Sequence, residues 1–414
     1  MIVLAIAAAI TLGMQDEPKS LREQIGVPYD ASNGFFDYID AAEIVRAADL
    51  SELEREYTEL LNQPVKAKGR KERLAELRQR MARVAEQAMV PVRIGNQKQV
   101  WDPRIKVDVT TLFPELSGFR AVAKAGRHAI LYRLSQGDSR GAARMVADGL
   151  SFSQNIASGP LISLLVSLAA DAIYLAAIEP YLMSFSEADL RLLSEAATAF
   201  LARPPMFRRV AEAETRFYRE MFESWKDEGK KYTEEDEADQ TTEYLKKLTP
   251  ERIEKMAVQI MRRMALEDEK ELKVLESPEA NWYAKIRLTD PPEEDFVEKE
   301  EPPPKNDQDV VDQLLRLRSS LFIMVEPVGI RRAQVRLLLL HTKILQYRWS
   351  YGRLPKALAE VDTSVDPFSG KPFRYEVNGM NYRLWSEGRG PRGEVELRYR
   401  RPKSAGTTVG DGPP

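Results

Sequence analysis

From Ala41 to Ser350, apolar residues return every three or four positions, and proline or glycine repeatedly cuts the pattern. That period lays one apolar stripe along each of a succession of helices, and the interruptions set where each must stop. The expected fold is mainly α. It is a multi-helix bundle or an irregular array of helical hairpins, tetratricopeptide-like in part, with a small C-terminal β-hairpin module.

The individual segments follow from the punctuation. Ala41 to Leu61 and Lys66 to Met89 read as an antiparallel helix pair divided at Gln63-Pro64, with Pro91 ending the second. Trp101 to Val109 reads as a strand or a linker. Leu116 to Leu134, a Gly137-Asp138 turn and Ser139 to Gln154 form the next hairpin, where the small Ala142 and Ala143 allow close helix approach. This hairpin is similar to one tetratricopeptide unit, but no constant period repeats along the chain, so a solenoid is not expected. Gly159-Pro160 precedes a helix over Leu161 to Leu182. Ser186, with Asp189 three residues on, caps one running to Leu201, and Pro204-Pro205 closes the set.

The stretch Leu161 to Ile178 is 18 residues long with one charge, Asp171. Its length would just span a bilayer, but a mid-helix carboxylate is costly there and Lys or Arg anchors are missing from its flanks. It is read as a core helix. Beyond Met206 the chain is highly charged. Phe207 to Trp225 is amphipathic, Glu234 to Asp239 is an acidic turn, and Thr249-Pro250 opens a helix with Met256 and Met264 in its stripe as core filler. Asp290 to Asp309 holds five prolines among many carboxylates and reads as an extended spacer. Val310 to Ser350 returns to helix, with a break expected at Pro327-Val328-Gly329. The units so defined are 1–14, 35–205, 206–289, the spacer 290–309, 310–401, and a disordered tail 402–414.

Residues Met1 to Met14 carry no charged side chain, and charge begins abruptly at Asp16. An apolar run of this length is a signal peptide or an uncleaved N-terminal anchor, so an exported, periplasmic or envelope-associated protein is expected. Cysteine is absent, which excludes disulfides, thiol nucleophiles and thiolate-bound metals. With 61 basic against 64 acidic residues, no global field exists to hold nucleic acid. Membrane contact is expected only through the N-terminal segment, if it is retained.

The C-terminal part has its own pattern. A helix ends in Tyr351-Gly352-Arg353-Leu354-Pro355, and Asp366-Pro367-Phe368-Ser369-Gly370-Lys371-Pro372-Phe373-Arg374-Tyr375 follows. Asn378-Gly379 marks a hairpin turn, Tyr382-Arg383-Leu384-Trp385-Ser386-Glu387-Gly388 returns as a strand, and Glu394 to Arg400 offers a third. This order of elements, about 65 residues from Leu337 to Arg401, resembles the C-terminal module of the major pseudopilin of type II secretion systems. Similar tails occur on exported helical proteins of bacteria. The resemblance implies a long helix followed by a small β module and a link to a secretion apparatus. Two features depart from the family: Met1 to Met14 lacks its N-terminal glutamate, so a pilus subunit is not implied. The loop that binds calcium in the family is basic here, Arg389-Gly390-Pro391-Arg392-Gly393, so no calcium is expected.

No catalytic pattern stands out. The two histidines, His128 and His341, have no His or Cys at zinc spacing and no Gly-x-Ser-x-Gly partner. Glu212, Glu214 and Glu220 with Arg216 are the densest carboxylate cluster, at ordinary helix-surface spacings. No catalytic, cofactor-binding or metal-ligating residue and no cofactor is therefore expected. The leading expectation is a non-catalytic exported scaffold of the cell envelope that binds protein partners. The alternatives are an accessory component of a secretion or pilus-like system, and an envelope hydrolase with paired carboxylates.

Overall fold

In the computed structural model, the described residues are 19–64, 67–104, 111, 113–228, 249–277, 279, 282, 305–317, 321–388 and 394–396. The leader 1–14, residues 105–109, the acidic turn 234–239, most of the spacer (290–304), the basic loop 389–393 and the tail 402–414 lie outside them.

Among the described residues the fold is mainly α, with a small antiparallel sheet near the C-terminus. A short α1 (Leu21–Ile25) leads into α2 (Phe35–Ala47), α3 (Leu50–Asn62) and α4 (Arg70–Gly95). Then come α5 (Pro114–Ser135), α6 (Ser139–Ile156), α7 (Leu161–Ile178) and α8 (Glu187–Ala202). The charged part of the chain supplies α9 (Phe207–Glu228), α10 (Pro250–Leu275) and α11 (Asp307–Leu317), and α12 (Val325–Tyr351) leads into the module. There β1 (Arg374–Asn378), β2 (Asn381–Ser386) and β3 (Val395–Glu396) pair in the order β1-β2-β3.

Several boundaries differ from the sequence expectation. The single helix expected over Ala41 to Leu61 is two, because Asp49 adopts a left-handed φ of 46° and its carboxylate accepts from the Glu52 N–H at 3.3 Å, starting a new helix. Pro91 does not end α4, which runs on to Gly95. The carbonyl that its missing N–H would have bonded belongs to Gln87, an exposed residue, so losing that bond costs less than it would in the core. Pro327 does not break α12 either. It lies in the first turn, where backbone N–H groups have no helical acceptor to lose. The interruption comes earlier, at a 3₁₀ turn over Leu321–Met324. Asp307 and Asp309, read as the end of the spacer, form the first turn of α11, where carboxylates favour the helix dipole.

One contiguous apolar core runs from Leu21 through the helical array to Phe373, Leu384 and Val395 of the module. Helix α5 packs on α2, α4, α6 and α7, and α12 lies along α8 and α7. Tyr174 of α7 fills the space left by Gly126 of α5 and Gly149 of α6. A Cβ on either glycine would lie 2.6 or 2.5 Å from the ring. A second core joins Leu164, Phe207, Leu275, Trp282, Leu321 and Val328, and a third joins Tyr218, Met256, Ile260, Met264 and Val310.

The segment Leu161–Ser184 is, among the described residues, the one helical stretch long and apolar enough to cross a membrane. It is packed on α5, α6 and α12, with Ser163, Ser167 and Asp171 among its buried residues.

In the module, Gly352 ends α12 at φ 65°, and a two-residue loop with Gly379 at φ 61° joins β1 to β2, so that Asn378 faces Asn381. The Asp366 carboxylate ties the two halves of the motif together. It accepts from Phe368 N–H at 2.9 Å, Ser386 Oγ at 2.9 Å and Glu387 N–H at 3.1 Å.

Candidate functional site

The two histidines sit on different helices, His128 on α5 and His341 on α12, with different partners. His128 Nε2 lies 3.0 Å from Glu54 Oε1, and Lys124 Nζ donates to the other oxygen of Glu54 at 3.0 Å. Burial pushes Glu54 up, but these two partners outweigh it and hold the carboxyl below the usual carboxylate range. His341 is buried on α12 with Nδ1 2.8 Å from the Tyr382 hydroxyl, pinning the module to its helix. The Glu212, Glu214, Glu220 and Arg216 group is not assembled into a site. Glu212 and Arg216 are exposed, while Glu214 Oε1 accepts from Leu161 N–H at 2.8 Å and caps the N-terminus of α7. Among the described residues, no cluster of three or more His, Asp or Glu side chains is arranged to hold a metal.

The groups that do converge were not singled out as a site by the sequence. Between α6, α7, the α8–α9 connection and the start of α12 lies a small cleft, partly open to solvent. Its walls are apolar: Ala157, Leu164, Leu168, Phe200, Met206 and Val328, with Pro204 and Pro205 from the connection. Its polar groups are Gln154, Ser167, Asp171, Arg203, Arg331 and Arg332. The lining thus carries three guanidinium groups and a single carboxylate.

Each arginine has a different status. Arg332, buried, donates from Nη1 to the Arg203 carbonyl at 3.0 Å and from Nη2 to the Leu201 carbonyl at 2.8 Å, satisfying the C-terminal end of α8. It is also paired with Glu279, which Arg336 holds from the other side. Arg203 Nη1 donates to Asn155 Oδ1 at 2.9 Å. From there a buried polar chain runs to Tyr38 (Asn155 Nδ2 to Tyr38 Oη, 2.7 Å) and on to Asn96 (Tyr38 Oη to Asn96 Oδ1, 2.8 Å). Arg331 stands apart. Nη1 donates to Gln334 Oε1 at 2.6 Å, Nε is buried without a partner, and no described carboxylate reaches ion-pairing distance of it.

Asp171 is the complementary oddity. It is 1% exposed, accepts from the Ser153 hydroxyl, and is too far from Arg331 to pair with it directly. Burial pushes its carboxyl up to about 7, against the smaller opposing pull of Arg331 and Ser153. Burial likewise lowers the Arg331 guanidinium, partly offset by Asp171. A cleft with apolar walls, a few convergent polar groups and a carboxyl shifted by desolvation has the properties of a binding site. Retaining or inverting hydrolysis by a carboxylate pair needs a second acid or base within about 10 Å across the scissile bond. The lining supplies only Asp171.

In the sequence, Asp171 stands out only as the charge that argues against a membrane span. The available signals were that isolated carboxylate in an apolar helix and the Arg331-Arg332 pair opening another. Their convergence across 160 residues of chain was not legible.

Comparisons with protein-family models, with curated proteins and with solved structures found no match.

Proposed function

We propose that this chain is a non-catalytic helical scaffold of the bacterial cell envelope that binds a protein partner in the cleft between α7 and α12. The observation that carries the reading is the cleft itself: apolar walls, cationic polar groups and one carboxylate held near neutrality. Such a lining suits recognition of an apolar, anion-bearing group, and it lacks the second carboxylate that the hydrolase alternative requires. Export is motivated by the apolar Met1–Met14 run. A role beside a secretion apparatus is motivated by the pseudopilin-like order of motifs, whose Asp366 joins the Asp-Pro turn to the Ser386-Glu387-Gly388 end.

The test is a crosslinked pull-down of the tagged full chain from an envelope fraction, compared with Leu168→Trp, which fills the cleft. Partners recovered with the parent chain and lost with the variant are expected. Secretion-machine subunits among them would favour the accessory role. The same proteins recovered with both chains would remove the cleft from the reading.

A further inference from the structure

Asn378-Gly379, the pair that marks the hairpin turn, is also the kind of pair in which an asparagine side chain most readily loses its amide. The attacking atom is the backbone nitrogen of the next residue, and glycine, with no side chain, leaves the path to it open. The chain contains a second such pair, Asn33-Gly34. The fold holds the two in opposite ways.

Asn33 is locked. It is buried, its Nδ2 donates to the Trp101 carbonyl at 3.0 Å, and its Oδ1 accepts from Phe35 N–H at 3.0 Å and from Trp101 N–H at 3.3 Å. The nitrogen that would attack it, Gly34 N, donates to the Gln99 carbonyl at 2.9 Å. A Cβ on Gly34 would lie 2.5 Å from the Gly95 carbonyl oxygen, so the backbone there has no room to swing. Asn378 has none of these restraints. It ends β1, an edge strand, and its side chain is exposed and, among the described residues, without a hydrogen bond. In the two-residue turn only Gly379 takes a positive φ, the pattern of a type II′ turn, whose first loop residue keeps its N–H outside the ladder. Among the described residues, nothing beyond its chain neighbours comes within 4 Å of where a Gly379 Cβ would sit. Opening the turn breaks only the last rung, Asn378 with Asn381.

We propose that Asn378 is a self-modification site, at which the Gly379 backbone nitrogen attacks Cγ of the Asn378 side chain. The new N–Cγ bond closes a succinimide ring as the Cγ–Nδ2 bond breaks, and the Gly379 N–H proton leaves with Nδ2 as ammonia. Water then adds to one ring carbonyl and breaks its bond to the ring nitrogen. Opening at Cγ leaves aspartate, and opening at the backbone carbonyl leaves isoaspartate. Both outcomes put a carboxylate where an amide stood. Isoaspartate also carries the main chain through the side chain, one carbon longer, so the two-residue turn no longer closes on the Asn378–Asn381 rung. The same strands carry the contacts that dock the module: Tyr375 Oη donates to the Pro355 carbonyl at 3.0 Å, and the Tyr382 hydroxyl lies 2.8 Å from His341 Nδ1. The hairpin therefore loosens with the age of the chain.

The experiment ages the full chain at pH 8, folded and in urea, and follows tryptic peptides by mass spectrometry. Residues 375–383 and 23–46 emerge as separate peptides, so Asn33 is an internal control in the same digest. Electron-transfer fragmentation tells isoaspartate from aspartate and Asn378 from Asn381. In the folded chain Asn378 is expected to convert at least about tenfold faster than Asn33, and in urea the two should convert alike. Asn378→Gln, whose longer side chain disfavours the ring, should leave the peptide unconverted. Hydrogen exchange over 375–383 should rise on ageing in the parent and not in this variant. Three results would overturn the proposal: Asn378 converting in urea but not when folded, Asn33 keeping pace with it in the folded chain, or conversion persisting in Asn378→Gln. Equal exchange in aged and fresh hairpins would overturn the loosening of the module.

Discussion

Asp171 shows how far a single side chain can shift the behaviour of the chain with pH. Its carboxyl is raised from an ordinary 3.8 to about 7 in the folded protein. Between those values the folded state holds a proton that the unfolded state has released. Stability therefore falls as pH rises from about 4 to 7 and levels off above, by an amount on the order of a few kcal/mol from this group alone. Asp171→Asn removes the titration. The difference in melting temperature between pH 5 and pH 8 should shrink in this variant, with a clear gain at pH 8. An unchanged pH profile would mean that Asp171 is not desolvated in solution. Tyr174 makes a second case. Its hydroxyl is buried between α5, α6 and α7 without a hydrogen-bond partner. Removing an unsatisfied hydroxyl recovers its desolvation cost, about 1–3 kcal/mol at most. Tyr174→Phe is thus expected to raise the denaturation midpoint, opposite to the usual direction for a buried tyrosine. A loss of stability would reveal a partner, such as an ordered water, at that oxygen.

At the scale of elements, helix ends and close crossings decide where the chain turns. Ser186 and Asp189 form a reciprocal capping box at the start of α8, the arrangement that their spacing announces. The crossing of α6 and α7 depends instead on Gly149, because Tyr174 occupies the space of its missing Cβ. Gly149→Ala should cost about 1–3 kcal/mol through overpacking, visible as a lower midpoint in urea. A neutral result would show that α7 can slide at no cost. The module depends on Asp366, whose carboxylate collects two backbone N–H groups and the Ser386 hydroxyl in a buried position. Asp366→Ala leaves those donors unsatisfied and should destabilise the β1-β2 hairpin by about 2–5 kcal/mol. Faster hydrogen exchange over residues 374–386, with α2 to α6 unaffected, is the expected signature. Exchange unchanged across the hairpin would show that its strands hold without the tie.

For the whole molecule, the continuity of the first core matters most. The apolar cluster that holds α2, α4 and α5 reaches through α12 to Leu358, Phe373, Tyr382 and Leu384. Cutting the chain after Gly352 would expose that end of α12 and leave His341 without Tyr382. The truncated chain is expected to melt well below the full one by circular dichroism. An unchanged melting temperature would mark the module as an independent appendage. The cleft is walled by residues 154–206 and 328–332, and Arg332 bonds the start of α12 to the end of α8.

Much of this architecture was legible without coordinates. The apolar period identified the helices, Gly137-Asp138 and Asn378-Gly379 marked tight turns, and Ser186 marked a helix start, because these signals act over a few residues. Local rules were misleading where a proline effect depended on context. Pro91 and Pro327 both sit inside helices, one a turn beyond the exposed Gln87 and the other in a first turn. The candidate site was not legible, since Asp171 and Arg331 meet only through the packing of α7 on α12. The sequence by itself determined the helices, the hairpin and the balance of charge, all consequences of residue type and short-range spacing. Only the tertiary structure decided which charges are stripped of water and left without a mate, because desolvation depends on what the rest of the chain places around a side chain.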